Sequence, residues 1–372
     1  MKTTLTFLLL SLFLISKGQN DFNPEDLGIH KYTLNIKTFP PDSLKFPFER
    51  IKIIDSRFDT SKLGFEMTKN IFTRRFNRIS LEDGNAQGIE QFYNGYYKGN
   101  FTAAKKELLI VIKTLWIDPY PQHGSLHPAL SETKSTKDIH FKFEYYLGDS
   151  EGYVPLLKVD STFHLTSRFS EKFYDPSNED HLPFLCFALE QMTEIPNYRF
   201  FVSQLSGKKK KSLQEIESYN HKREELPVLQ NGLKKGVFLT FEEFRNNNPS
   251  VTSFSKQRGF KGRTYIILDD KHNEIVNYFA YFTGEALGIK PDMNSFLAAR
   301  NLKNVEPPFL NRSGNSYEFF MIDAPDDTTG DMNTTIGGKD AHIQSPGFLR
   351  FVNGPGTILV PRIIDMETGE IY

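Results

Sequence analysis

Asp55, Arg57 and Asp59 alternate along Asp55-Ser-Arg-Phe-Asp-Thr-Ser-Lys-Leu-Gly64, directly after the apolar run Ile51–Ile54. Two carboxylates flanking a guanidinium have the makings of a local ion pair that fixes a turn at a strand end. Gly64 would permit a positive φ before the chain continues. These three residues are the candidate binding surface of the chain, weighed against a purely structural turn network.

Other spacings carry less. His123 and His127 stand four apart, as paired metal ligands do on a helix, but prolines at 119, 121 and 128 put them in a loop. No Glu follows His123 as a zinc protease needs, so no metal site is expected. Asp323–Asn333 holds four Asp and an Asn, oxygen ligands of the kind calcium takes, without the alternation of a helix–loop–helix calcium loop. A solvated loop is expected there. Gly148-Asp-Ser150 resembles the start of a lipase-type serine motif. Beside Asp149, Glu151 and Gly152, Ser150 reads as a turn residue and is not taken as a nucleophile. The pairs Glu242/Glu243 and Asp269/Asp270 are adjacent and share no helix face. Phosphate loops and dinucleotide fingerprints are absent. No catalytic residue and no cofactor is assigned.

The elements that must position these residues read as an α+β fold, an N-terminal mixed α/β sandwich-like domain followed by a β-rich C-terminal domain. The chain carries 34 Phe, 16 Tyr and 1 Trp, and such rings favour strands. In the N-terminal half, Tyr32–Ile36, Arg50–Ile54, Leu108–Ile117, Phe141–Tyr146 and Leu156–Leu165 read as strands, and Gln87–Tyr97 and Leu182–Met192 as helices. Leu108–Ile117 is so evenly apolar that it should be central and covered on both faces. In the C-terminal half, Gly236–Leu239, Tyr317–Ile322 and a final pair, Phe348–Val352 with Thr357–Ile364, read as strands. Thr264–Leu268 and Ile275–Phe282 read as a hairpin around a six-residue polar loop.

Residues 206–235 divide the halves, giving domains at 19–205 and 236–372. Lys208–Lys211 read as a solvated linker, followed by the capping box Ser212-Leu-Gln-Glu215 and a polar helix with a narrow stripe of Leu213, Ile216 and Tyr219. A second capping box, Thr240-Phe-Glu-Glu243, opens a short helix.

Residues 1–18 read as a secretory signal peptide: Lys2, an apolar run from Leu5 to Ile15, then Ser16-Lys-Gly18. Gln19, not a lipid-bearing cysteine, follows, and no later segment is long and apolar enough to cross a membrane. The expected address is periplasmic or extracellular. Cys186 is the only cysteine, so no internal disulfide forms, and its apolar neighbours mark it as a small buried hydrophobe. The net charge of −1, which becomes −3 without Lys2 and Lys17, gives no footprint for nucleic acid.

The Asp55–Gly64 segment, the Leu108–Trp116 strand and Lys235–Ser250 together resemble a group of exported bacterial proteins with no assigned activity, two-part chains of this length with a signal peptide. The resemblance carries no site residue with it. The strand followed by Asp-x-Arg also resembles small α/β accessory domains of envelope transport lipoproteins, although the lipid cysteine is missing here. The first expectation is therefore a non-enzymatic envelope or secreted binding protein, with an envelope protein or a glycan as partner. The alternative is a secreted hydrolase acting on polysaccharide or peptide. An enzyme should show a concave pocket with convergent titratable groups, and a binding module an exposed aromatic patch or a flat groove. A largest cleft that gathers Asp, Glu or His side chains argues against the first.

Overall fold

The computed structural model describes residues 27–34, 45–69, 74–118, 137–165, 185, 189, 208–258, 265–290, 309–323, 333–336, 339–342 and 358–372. The signal segment, Cys186, the two loop histidines, 324–332 and 348–352 lie outside them, as does all but two residues of the helix expected at 182–192. Within them strands dominate and helices are few, an α+β content. No helix among the described residues is long and apolar enough to cross a membrane.

The main sheet is mixed. Its strands are β1 (Ile29–Tyr32), β2 (Arg50–Asp55), β3 (Gly64–Lys69), β4 (Arg74–Leu81), β5 (Glu107–Asp118), β6 (Lys137–Asp149) and β7 (Gly152–Leu165), with helix α1 (Asn85–Tyr96) between β4 and β5. They run in the order β1-β4-β3-β5-β6-β7, and β2 pairs with β5. The evenly apolar strand is indeed central: β5 is flanked by β2 and β3 on one side and β6 on the other. One of its faces packs Leu108, Ile110, Ile112, Leu115 and Ile117 against α1 residues Ile89, Phe92, Tyr93 and Tyr96, in a core that also takes Leu185 and Leu189. The β3–β4 hairpin is absent from the sequence reading. Its charged alternation, Arg74-Arg-Phe-Asn-Arg-Ile-Ser-Leu81, hides a strand whose Ile79 and Leu81 face the core.

Among the described residues no strand covers the outer edge of β2, and α1 closes it. The Ile51 N–H donates to Asn94 Oδ1 at 2.9 Å, and the Ile53 N–H donates to Glu90 Oε2 at 2.8 Å. Asn94 Nδ2 donates in turn to the Ile51 carbonyl at 2.8 Å. Glu90 and Asn94 are four apart, hence on one helix face, and they supply the partners that a neighbouring strand would.

The other sheet face is covered by two later pieces. Helix α2 (Leu213–Glu224) lays Leu213 and Ile216 on Leu109, Val111, Tyr146 and Tyr153. Its capping box is complete, with the Ser212 hydroxyl and Glu215 carboxylate each accepting from the other's backbone N–H. The lysines before it are not a free linker. Lys210 bridges Asp149 at 2.9 Å and Glu151 at 2.7 Å, and the Lys211 backbone pairs with Tyr153.

Chain beyond α2 forms α3 (Pro227–Gln230), β8 (Gly236–Phe238), α4 (Phe241–Arg245), β9 (Phe254–Arg258), β10 (Tyr265–Asp269), β11 (Ala280–Phe282), β12 (Leu287–Ile289), β13 (Asn311–Ser313), β14 (Ser316–Asp323), β15 (Asn333–Ile336), β16 (Lys339–His342) and β17 (Ile358–Ile363). The expected hairpin forms only at its tip, where Glu274 bridges to Leu268 and the Ile275 N–H donates to the Ile267 carbonyl, and beyond the tip its strands take other partners. β10 joins β9, while β11 joins β8 and β12. β17 pairs with β14, and the chain end folds back on it, with Ile363 bonded to Tyr372 in both directions. Only half of the second capping box forms: Thr240 accepts from the Glu243 N–H, whereas Glu243 reaches the Leu239 N–H. Phe238, Phe244, Tyr317, Phe319 and Met366 build the core of this half.

Candidate functional site

The chain leaves the edge of β5 at Asp55 and rejoins it at Gly64, and the three sequence candidates fill the gap. The Ser56 N–H donates to the Ile112 carbonyl at 2.8 Å, and the Ile117 N–H donates to the Leu63 carbonyl at 2.8 Å. Between these, Arg57 substitutes its side chain for a strand. Nη1 reaches the Leu115 carbonyl at 3.3 Å and the Lys62 carbonyl at 2.6 Å. Nε and Nη2 clasp both oxygens of Asp55 at 2.8 and 2.7 Å. Gly64 has φ +146°, and a Cβ there would lie 2.2 Å from the Ile117 carbonyl oxygen, so the return to β5 requires glycine.

Asp59 faces the other way, toward the C-terminal strands. It accepts from the Ser61 backbone and hydroxyl, from Ser313 Oγ at 2.7 Å and from the Lys62 ammonium. Lys62 Nζ also lies 3.0 Å from Glu318, whose other oxygen takes Arg78 at 2.8 Å. Burial pushes the Asp59 carboxyl up, but the charge and hydrogen bond of Lys62, with Ser61 and Ser313, outweigh it and hold it at about 2. The Asn315 N–H donates to the Phe58 carbonyl at 2.7 Å. Phe58 packs against the C-terminal core, beneath the Arg223 guanidinium at 5.0 Å. Asp55, Arg57 and Asp59 thus sit within a clasp between the main sheet and β13–β14. Arg57 and Asp59 are each 5% exposed.

A groove lies elsewhere on the main sheet. It has a volume of about 460 Å³ and is lined by β5, β6 and β7 and by residues 370–372. A β-bulge makes it. The β5–β6 register shifts between Ile112 and Thr114, so Lys113 and Thr114 both leave the apolar face, as bulged residues do. From there Thr114, Asp118, Asp138, His140, Asp160 and Thr162 follow one another across the three strands on one face. Arg362 of β17 closes on Asp118 at 2.6 Å. His140 accepts from or donates to Thr162 Oγ1 at 2.9 Å and stacks on the Tyr372 ring, centroids 4.4 Å apart.

Behind the groove the sheet face carries charges instead of apolar residues. Lys113 pairs with Glu144 at 3.0 Å, and Glu367 takes Lys142 at 3.1 Å and Arg223 at 2.9 Å. Burial and Arg223 hold the Lys113 amine below its usual range, against the pull of Glu144. Burial also raises the Glu144 carboxyl, but Lys158, Tyr146 and Lys113 reverse this and bring it to about 2. Asp365 goes the other way. Burial raises its carboxyl, and Tyr372 and Thr114, both lining the groove, stand 3.4 and 3.5 Å from it. The Tyr372 phenol is pushed up by burial and by the charges of Asp365 and Glu370.

The sequence is expected to lack both a Gly-x-Ser-x-Gly elbow and a downstream Asp-x-x-His pair, yet both spacings are present. Gly148–Gly152 has Gly-x-Ser-x-Gly spacing, and Asp269–His272 has Asp-x-x-His spacing. A nucleophile elbow needs a strand, a sharp turn and a helix. Ser150 instead sits in the two-residue turn between β6 and β7, where Asp149 pairs with Gly152. Asp269 is occupied by the turn after β10, accepting from Lys271 and Asn273. Among the described residues no hydrogen bond joins Ser150 to His272. The described residues also hold no group of three or more His, Cys, Asp or Glu arranged for a metal ion.

No family model and no curated protein matches the chain. Among solved structures, one of a Xanthomonas campestris protein of the DUF330 family is similar over 47% of this chain and 96% of its own, at 10% identity and a TM-score of 0.30.

Proposed function

We propose that the chain is an exported binding protein of the periplasm or the extracellular medium, with its ligand seated in the β5–β6–β7 groove. The observation that supports this is the groove itself, a concavity of the size small-molecule sites have (~300–1,000 Å³), opened by a β-bulge and walled by polar side chains. The export reading rests on the sequence of residues 1–18. The two-domain division and the clasp role of Asp55, Arg57 and Asp59 belong to the same reading: the clasp holds the C-terminal half against the sheet, and that half supplies residues 370–372 to the groove wall.

The groove gathers Asp118, Asp138, His140, Asp160 and Glu370. That composition counts against a purely non-enzymatic protein and favours a second reading, hydrolysis of a polysaccharide or peptide. Against turnover, Asp118 is locked to Arg362 and Asp160 stands 3.6 Å from Lys142. Incubating the purified chain with envelope polysaccharide fragments separates the two. Saturable binding without new reducing ends supports the binding protein. Reducing-end release that is lost in Asp138→Asn establishes the hydrolase. Retention of the chain in the cytosol of the native host removes both.

A further inference from the structure

We propose that the chain docks on an anionic lipid surface through one end of its main sheet, an inference independent of what the groove binds. β2 and β5 run parallel and β6 runs against them, so the starts of β2 and β5 and the β6–β7 turn lie at the same end. The flanking segments are tied together there. The Phe46 N–H donates to the Asn100 carbonyl at 2.9 Å, the Glu49 N–H donates to the Lys106 carbonyl at 2.8 Å, and the Lys211 backbone pairs with Tyr153. Residues 45–50, 98–107, 149–152 and 208–215 hold nine Lys and Arg against five Asp and Glu, in a chain whose net charge is −1. Four of the five acids are engaged. Arg50 takes Glu107, Lys210 takes Asp149 and Glu151, and Glu215 accepts from the Ser212 N–H. Lys98, Lys105, Lys106 and Lys209 make no ion pair among the described residues, and all but the half-buried Lys106 are exposed.

The spare lysines lie on both sides of the strand row. Lys98 follows α1 on one sheet face, and Lys209 precedes α2 on the other. They make an area rather than a line, which suits a flat field of headgroups better than a single polymer chain. Lysine is a point charge without the fork of arginine, so it fits a diffuse anionic surface rather than one shaped ligand. None of the exposed large hydrophobics among the described residues falls in these segments, so the attachment is electrostatic and has no apolar wedge. β5 carries the sheet from this end to Asp118 at the groove, a rise of roughly 35 Å. A surface that attracts the lysine end repels the carboxylates of the other, so docking turns the groove toward the medium.

Vesicle co-sedimentation tests this with the processed chain from Gln19, because the apolar run at residues 5–15 binds lipid of any charge. The probes are vesicles of phosphatidylcholine alone and of phosphatidylcholine mixed with phosphatidylglycerol. The expected result is binding to the mixed vesicles only, lost as salt rises from about 0.1 M to about 1 M and the Debye length falls from about 10 Å to about 3 Å. Lys105→Gln together with Lys106→Gln should weaken it about tenfold or more, and Lys209→Gln about fivefold. The thermal midpoints of these variants should stay at the wild-type value. Lys271→Gln, in the turn after β10, should leave binding unchanged. Binding that resists salt, that ignores the first three substitutions or that Lys271→Gln weakens as much overturns the docking end, as does no binding to either vesicle. Polygalacturonate bound with the same sensitivity to Lys105, Lys106 and Lys209, while mixed vesicles stay unbound, overturns the lipid surface in favour of a linear polyanion.

Discussion

Arg57 directs all five of its N–H groups at Asp55 and at the carbonyls of Thr60, Lys62 and Leu115. Removing the guanidinium strands a buried Asp55 carboxylate and leaves a stretch of the β5 edge unpaired. Loss of one partner of a buried ion pair costs about 3–5 kcal/mol. Arg57→Ala should therefore lower the denaturation midpoint strongly while leaving the affinity of the groove almost unchanged. Arg57→Lys should recover only part of the loss, since an ammonium cannot reproduce the fork. Unchanged melting with lost ligand binding would reverse this ranking and make the segment a ligand surface. Gly64→Ala is a backbone counterpart. Its Cβ meets main chain rather than a movable side chain, so it should cost about 3 kcal/mol or more. A midpoint within error of wild type would refute the requirement for glycine at this corner.

At the scale of elements, α1 acts on β2 through two side chains rather than through packing alone. Asn94→Ala removes the partner of both the Ile51 N–H and the Ile51 carbonyl, and Ile51 is fully buried. Unsatisfied buried groups cost about 1–3 kcal/mol. Hydrogen exchange should quicken across 50–55 before it does across β6, and uniform protection would sink the idea. Helix α1, strand β5 and the Ser212 capping box were legible because their signals are local: a period, an apolar run, a spacing of three. The re-pairing of β10 and β11 was not, since partner choice depends on burial contributed by residues far along the chain. The groove was illegible for a related reason. Asp138, His140, Asp160 and Thr162 stand at alternate strand positions, where polar residues normally mean a solvated face. Nothing in their order shows that three strands and a segment two hundred residues later bring them together. The clasp was half legible: Asp55, Arg57 and Asp59 stood out, but the partners Ser313 and Glu318 lie about 250 residues away.

For the whole molecule, buried carboxylates hold both the join between sheet and C-terminal strands, through Asp59, and the sheet itself, through Glu144 with Lys113 and Lys158, so acid should weaken the fold. Asp59 and Glu144 are both held at about 2, below ordinary values of 3.8 and 4.5. A depressed carboxyl stabilises the fold fully above its unfolded value, and that contribution is lost as pH falls through the folded one. Each is worth roughly 2–3 kcal/mol, with the loss falling between about pH 5 and pH 2. Asp365 has the opposite sign. Its raised carboxyl favours the protonated form in the fold, so acidification restores some stability there and blunts the limb. The buried phenols of Tyr93 and Tyr145 are raised by burial, which places a second loss above pH 10. Urea midpoints should hold between pH 6 and 9 and fall on both sides. Glu144→Gln should flatten the acid limb, because a neutral amide has no proton to gain, while lowering the plateau at pH 7. A wild-type midpoint that stays level down to pH 3, or an acid limb unaltered in Glu144→Gln, would show that these buried carboxylates do not set the acid stability of the fold.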